Sequence, residues 1–469
     1  MEKISIKEKI AYGLGDFASS MFWKLFSMFL MFFYTDVFGI SAAAVGTMFL
    51  VTRIWDSLND PMMGIIADRT HTKWGKFRPY LFFGAIPFGL IGFITFLSPD
   101  LSESGKLIYA YVTYTLMMMA YTAVNVPYSS LMGVMTNSSS EKTSLASFRF
   151  IGAFSGGLLV AATANGMVSY FGKEANGADN MGLGFQWTIG IYAILAAILF
   201  VVTFLGTKER LSVTSAPESN LKLDLKDMAK NAPWFIMLGA SISILIFNSL
   251  RDGSIIYYFK YYVGDQTVFG TEFSYETLSS SYMSIWIGTN ILGVLFAEPL
   301  AKKLGKKNAF QISVLTSAVL SIAIFFLDPN QVILLFLLNI LIGISAGIVL
   351  PLIWSMYADI ADYSEWKNGR RATGLIFSSS SMSQKFGWTL GGAITGWMLS
   401  GFGFEPNIVQ TEQTLFGIKF IMSIAAGIGA LLASVFLYFY SLDEKSMNQI
   451  ESELAVMRTQ HQQEHSHQD

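Results

Sequence analysis

The sequence predicts an all-α polytopic membrane protein with twelve transmembrane helices in two pseudo-symmetric six-helix bundles, and three observations carry that prediction. Of its 469 residues 52% are hydrophobic and only 14% are charged, too apolar a mixture for an ordinary soluble domain. Apolar runs of about 20 residues, the length that crosses a bilayer, recur along the whole chain. Between them, loops rich in Lys and Arg alternate with loops nearly free of both.

The runs fall at 10–34, 42–66, 79–98, 106–134, 144–170, 186–206, 232–262, 275–299, 308–327, 331–361, 371–401 and 415–440. The first follows a charged start, Met1 to Lys9, with no small-residue cleavage site behind a short apolar core, and reads as an uncleaved helix. The second contains Arg53, Asp56, Asn59 and Asp60 and leads into the basic loop Asp68 to Arg78. Four further runs complete the first half. Thr207 to Asn231 is the one long polar connection, and its Leu221 to Lys230 part reads either as an amphipathic surface helix or as a solvated linker. The second half repeats the plan: the Gly64-Ile-Ile-Ala-Asp-Arg-Thr-His-Thr-Lys73 segment after the second run is echoed by Glu298 to Lys307 after the eighth.

The expected domains are therefore 1–206, a cytoplasmic middle loop 207–231, 232–442 and a tail 443–469. Its helical pattern dissolves into Gln and His, so the tail is expected to fray. The basic loops include Lys208 to Arg210, Lys302 to Lys307 and Lys367 to Arg371. By the positive-inside rule they lie in the cytoplasm with both termini.

Composition also excludes. There is no cysteine, hence no disulfide and no thiol chemistry, and three of the four histidines sit in the tail. A net charge of -2 gives no footing for a nucleic-acid partner. No phosphate loop, nucleotide fingerprint or sizeable extramembrane domain is present, so neither an enzyme nor a cofactor is expected.

The charges inside the runs carry the chemistry. An ionisable group at the bilayer centre costs roughly 2.5 to 3.5 kcal/mol on the lenient insertion scale, so such a group should face a protein interior or a wet cavity. Asp56 and Asp60, one helical turn apart, can converge on one small cation. The bland alternative pairs Asp56 with Arg53, three residues earlier on the same face, and the two readings are compatible. Asp16 and Arg149 are further intramembrane charges, and Arg149 offers a planar fork for a carboxylate or vicinal hydroxyls. Arg251 and Asp252 break another apolar run and read as cavity-lining or as a local pair. In a chain that is 15% aromatic, rings at helical spacing are mostly packing.

One series of motifs is more specific. The loop Gly64-Ile-Ile-Ala-Asp68-Arg69 resembles the signature of the major facilitator superfamily. Tyr12-Gly-Leu-Gly-Asp16-Phe, Phe33-Tyr-Thr-Asp36, Ile54-Trp-Asp56-Ser-Leu-Asn59-Asp60-Pro61, Lys73-Trp-Gly-Lys-Phe-Arg-Pro79, Asn125-Val-Pro127-Tyr128, Arg149 and Asp359-Ile-Ala-Asp362-Tyr-Ser-Glu365-Trp follow in order over essentially the whole chain. Together they resemble the glycoside-pentoside-hexuronide:cation symporters, the family of melibiose permease, and in detail the xyloside and oligosaccharide permeases. The resemblance implies a secondary active transporter of the inner membrane that couples sugar uptake to Na+ or H+ by alternating access, with no covalent step; it is expected to work as a monomer among membrane lipids.

The resemblance also implies sites. It places a cation, Na+ or a proton, at Asp56 and Asp60 with Asn59 and Thr122, a set of hard oxygen ligands. For the sugar it points to Asp16, Asn125, Ser129, Arg149 and Lys385, with Tyr121, Tyr128 and Trp354 as nearby rings. It makes Asp359, Asp362 and Glu365, facing Lys367, Arg370 and Arg371, an inner gate of charge pairs. Two departures bear on the cargo. Where melibiose permease has an aspartate followed by Pro-Phe-Trp, this chain has Asn125-Val-Pro-Tyr-Ser129, which points away from galactosides. Lys24, eight residues after Asp16, either adds an anion contact for a hexuronide or pairs with Asp16 or Asp60. Neutral xylosides or short oligosaccharides are the expected cargo, with a hexuronide or a non-transporting sugar sensor as alternatives.

Overall fold

The computed structural model describes residues 4–136, 139–173, 180–210, 228–368 and 373–466. The first half consists of α1 (Ile6–Leu25), α2 (Ala42–Arg69), α3 (Arg78–Thr95), α4 (Glu103–Met135), α5 (Ser139–Phe171) and α6 (Met181–Gly206). Beyond residue 228 follow α7 (Ala232–Tyr257), α8 (Tyr275–Leu304), α9 (Lys306–Ile324), α10 (Val332–Asn368), α11 (Thr373–Gly401), α12 (Glu412–Tyr438) and the tail helix α13 (Glu444–Ser466). A hairpin, β1 (Gln266–Val268) with β2 (Thr271–Phe273), is the only sheet among the described residues. Both turn residues, Phe269 and Gly270, have positive φ, as a tight two-residue hairpin turn requires.

Among the described residues, nine helices are long and apolar enough to cross a membrane. The remaining expected runs, 10–34, 42–66 and, from Thr373 on, the described part of 371–401, are helical as well. Polar side chains start several helices where the sequence leaves a loop: Ser5, Ser41, Ser102, Asn180 and Thr411 each accept from a backbone N–H of the first turn. Wide π turns extend or interrupt three helices, at Phe26–Leu30 and Phe33–Val37 beyond α1, Tyr258–Val263 beyond α7, and Ile421–Ala425 within α12.

Packing divides the chain into two compact units. The first comprises Met1–Thr214, Asp252–Ile287 and Gly392–Ile421, the second Ser215–Arg251, Gly288–Gly391 and Met422–Asp469, so the division cuts α7, α8, α11 and α12 partway along. In the first unit α1 and α5 approach backbone to backbone, since a Cβ on Gly152 or Gly156 would lie 2.1 Å from Gly13 O or 2.3 Å from Phe17 O. In the second, α8 and α10 cross through Gly293 and Gly347 in the same way, with virtual Cβ contacts of 2.2 and 2.1 Å.

The basic loop before α3 is held by carboxylates. Glu209 accepts the N–H groups of Lys76, Phe77 and Arg78 at 2.7 to 2.8 Å and so caps the start of α3, and Glu8 binds Arg210 at 2.7 Å.

The tail corrects an expectation. It is helical to Ser466, and Met447, Ile450 and Leu454 are buried, with Trp366 Nε1 donating to Glu453 at 2.6 Å. An apolar stripe at i, i+3 and i+7 gives it a face to bury, which outweighs its polar composition. The expected amphipathic segment 221–230 lies, up to residue 227, outside the described residues.

Candidate functional site

α2 and α4 build the first cluster. Thr122 is buried, and its Oγ1 lies 2.8 Å from Asp60 Oδ1 and 3.2 Å from Asp56 Oδ1. One hydroxyl carries one proton, so it can donate to only one of these oxygens at a time. Two carboxylates of α2 thus meet at one hydroxyl of α4. The bland reading of Asp56 is realised beside it: Arg53 Nη1 donates to Asp56 Oδ2 at 2.7 Å, with both side chains buried. Asn59, next to Asp60 in α2, keeps its Nδ2 buried without a hydrogen-bond partner.

The second cluster joins α1, α4 and α5. Arg149 Nε donates to Asp16 Oδ2 at 2.7 Å, and its guanidinium lies 5.0 Å from the Tyr128 ring centre and 6.0 Å from that of Tyr12. Those two rings stack at 4.8 Å, and Tyr128 Oη donates to Tyr12 O at 2.6 Å. Tyr128 is fully buried, so it supports the pair from behind rather than offering a sugar a face. Asn125 turns its amide back to Tyr121 O at 3.0 Å, and Ser129 is exposed.

Two rings connect the clusters. The Arg53 guanidinium sits 5.2 Å from the Trp23 ring, and Trp23 contacts Tyr121 with centroids 5.8 Å apart. Tyr121 lies within electrostatic reach of Asp16 and Arg149 on one side and Arg53 and Asp56 on the other. Trp23 was not among the sequence candidates. Its spacing of seven residues from Asp16 places it on the same helix face, a signal that was available.

Lys24 corrects another expectation. It pairs with Asp252 Oδ2 at 2.7 Å, a partner from α7 that sequence proximity did not suggest. Eight residues of helix separate Lys24 from Asp16 by about 12 Å along the axis, too far for contact. Asp252 is 1% exposed, and Ser27 Oγ reaches the same oxygen at 3.4 Å. Within the second unit Arg251 binds Asn339 Oδ1 at 3.1 Å and Ser321 Oγ at 3.4 Å. Arg251 and Asp252 are therefore not simply a local pair.

The other candidates of the second unit are Trp354 and Lys385, both half-buried. Asp359 accepts Lys306 Nζ at 2.7 and 2.8 Å, a partner from α9 that sequence proximity did not suggest. Lys367 bonds Tyr363 Oη at 3.2 Å; Asp362 and Glu365 are half-buried, and Arg371 lies outside the described residues.

The family described as MFS/sugar transport protein matches residues 11–444. The chain belongs to this family: it is an integral membrane transporter, not an enzyme. It is 36% identical to the inner membrane symporter YicJ of Escherichia coli (strain K12) over 470 aligned positions, 100% of this chain and 99% of the other. It is also 36% identical to the isoprimeverose transporter of Lactiplantibacillus pentosus over 440, 93% of this chain and 89% of that one. Among solved structures, that of the nucleoside transporter NupG aligns with a TM-score of 0.61 over 92% of this chain and 100% of that one, at 17% identity, a likeness of fold alone.

Proposed function

We propose that the protein is a symporter of the inner membrane that imports a neutral glycoside, a xyloside or short oligosaccharide, with a monovalent cation. The observation that carries this reading is the convergence of Asp56 and Asp60 on Thr122. Two carboxylates sharing one hydroxyl, one of them beside the Arg53 guanidinium, suit a small monovalent cation such as Na+ or a proton. Sodium suits the hard oxygens of carboxylate and hydroxyl. Sugar is read at Asp16 and Arg149, and Trp23 and Tyr121 carry the effect of cation occupancy to that pair. Coupling of this kind is reciprocal, so sugar tightens the cation by the factor by which the cation tightens sugar. Alternating access, with cytoplasmic termini and Asp359, Asp362, Glu365 and Arg371 at the inner gate, completes the cycle.

Charge favours a neutral cargo over a hexuronide. In the first unit Arg149, Lys24 and Arg53 each face a carboxylate, Asp16, Asp252 and Asp56 in turn, which removes the positive field a sugar acid would need. The similarity to a transporter named for isoprimeverose supports the same class. The test is uptake of xylosides, glucuronides and melibiose into proteoliposomes under imposed Na+ or H+ gradients, in wild type and Asp56→Asn. Accumulation of a neutral xyloside driven by Na+ and reduced by the substitution to mere equilibration is the expected result. Gradient-independent movement of the sugar, or preference for glucuronides, would overturn the reading.

A further inference from the structure

A cavity with many polar side chains in its wall lies in the first unit, between the end of α5 and the start of α8, well away from Asp16 and Asp56 in the chain. Its volume is about 620 Å³, within the range of roughly 300 to 1,000 Å³ typical of small-molecule sites. Six serine and threonine hydroxyls line it: Ser169, Ser274, Thr277, Ser280, Ser281 and Ser284. One of them, Ser280, is buried with its Oγ lacking any hydrogen-bond partner. A buried hydroxyl without a partner keeps its full desolvation penalty, so a polar occupant of this space is favoured.

The remaining wall groups suit a sugar. Glu276 supplies a carboxylate that can accept from two adjacent hydroxyls, Lys173 supplies a donor, and Tyr170, 75% exposed, presents a ring for an apolar sugar face. Lys173 forms no ion pair among the described residues. A smaller cavity of about 160 Å³ shares Ser169 and Glu276 as its wall and adds Asn165, Asn180 and Tyr275, so the polar surface extends past the groove itself. A purely apolar lipid tail would leave these groups unsatisfied.

We propose that this groove is a separate docking site for a neutral saccharide, at the end of the protein opposite the basic loops. It captures sugar by Glu276, Lys173 and the serine face of α8, with Tyr170 as platform. The choice of ligand rests on the glycoside-transport reading; the groove's chemistry does not.

The absence of native cysteine permits a direct test. Ala162, exposed at the foot of the groove, is replaced by Ala162→Cys, and maleimide labelling of purified protein is followed with xylobiose as the probe. Sugar at about ten times its Kd should slow labelling about tenfold by simple occupancy. The protection should persist with Arg149→Ala, which disables the central pair. It should vanish with Gly166→Leu, since Gly166 lines the groove and a Cβ there meets nothing within 4 Å, so the larger side chain fills the cavity without strain on the backbone. Glu276→Gln should weaken it. Labelling indifferent to xylobiose, or protection lost with Arg149→Ala, overturns the groove, as does protection that phospholipid nanodiscs give without sugar. Uptake measured on the same preparation is read separately: uptake without protection removes the groove and leaves the transporter, whereas protection without uptake does the reverse.

Discussion

At the scale of single residues, the first unit is organised by carboxylates that hold cations in place. Lys24 and Asp252 illustrate the consequence. Asp252 is 1% exposed, so deleting Lys24 strands a buried charge, a loss that typically costs about 3 to 5 kcal/mol, here toward the lower end because Lys24 is 20% exposed. Lys24→Met should therefore lower the thermal midpoint in detergent markedly, whereas Lys24→Met combined with Asp252→Leu should recover most of the loss and still bind xyloside. If the double variant is as unstable as the single one, the pair is not what matters; if it is stable but cannot bind sugar, Lys24 belongs to the recognition site. This pair also marks how far the sequence could be read. Asp56 with Asp60 and Asp56 with Arg53 lie within one or two turns of one helix, so spacing alone brings them together. Lys24 and Asp252 are 228 residues apart, and no local pattern links them.

At the scale of elements, hydrophobic runs located the helices because burial in lipid demands about 20 apolar residues whatever the partner helix is. The π turns were not legible, since they reflect how a helix end adapts to its neighbours rather than any composition. The average composition of the tail misleads: Gln and His dominate it, while Met447, Ile450 and Leu454 keep one face apolar. Its start is a defined cap: Asp443 accepts Ser446 N at 2.9 Å and Ser446 Oγ at 2.7 Å. Those two hydrogen bonds, the backbone one first, hold the Asp443 carboxyl below its ordinary range near 3.8. The folded value is the lower one, so the cap's contribution is fully present above the unfolded value and is lost as pH falls through the folded one. Amide exchange at the first turn of α13 should accelerate as pH drops below about 4, once corrected for intrinsic rates. In Asp443→Asn that extra acid-dependent step should be absent; its persistence would place the titrating group elsewhere.

At the scale of the whole molecule, the first compact unit joins segments from both ends of the chain, and a polar latch lies within it. Asp36 and Lys260, each on a π turn, pair at 2.8 Å; Lys260 also donates to Asn407 Oδ1 at 2.7 Å, and Asn407 Nδ2 returns to Asp36 O at 2.6 Å. Tyr261 Oη donates to Asp36 as well, and Tyr257 and Thr35 hydroxyls meet at 2.7 Å one turn deeper. Segments from α1, α7 and the loop before α12 are thereby fastened at the end opposite the basic loops, which assigns the parts of α7 and α12 nearest that end to the same unit as α1 to α6. In the sequence, Phe33-Tyr-Thr-Asp36 is legible only as a motif, because the partners of Asp36 are more than 200 residues distant. A transporter must open this end to load from that side, so the latch should set the balance between states without touching sugar. Asp36 is wholly buried in the pair, and Lys260→Met leaves its carboxylate to water or a proton, which favours the open arrangement. With Ser27→Cys as the one thiol, Lys260→Met should raise the labelling rate from that side several-fold, while sugar affinity measured at equilibrium shifts only by the accompanying change in population. An unchanged labelling rate would mean that the apolar contacts around Phe32 and Tyr257, rather than the ion pair, keep this end closed.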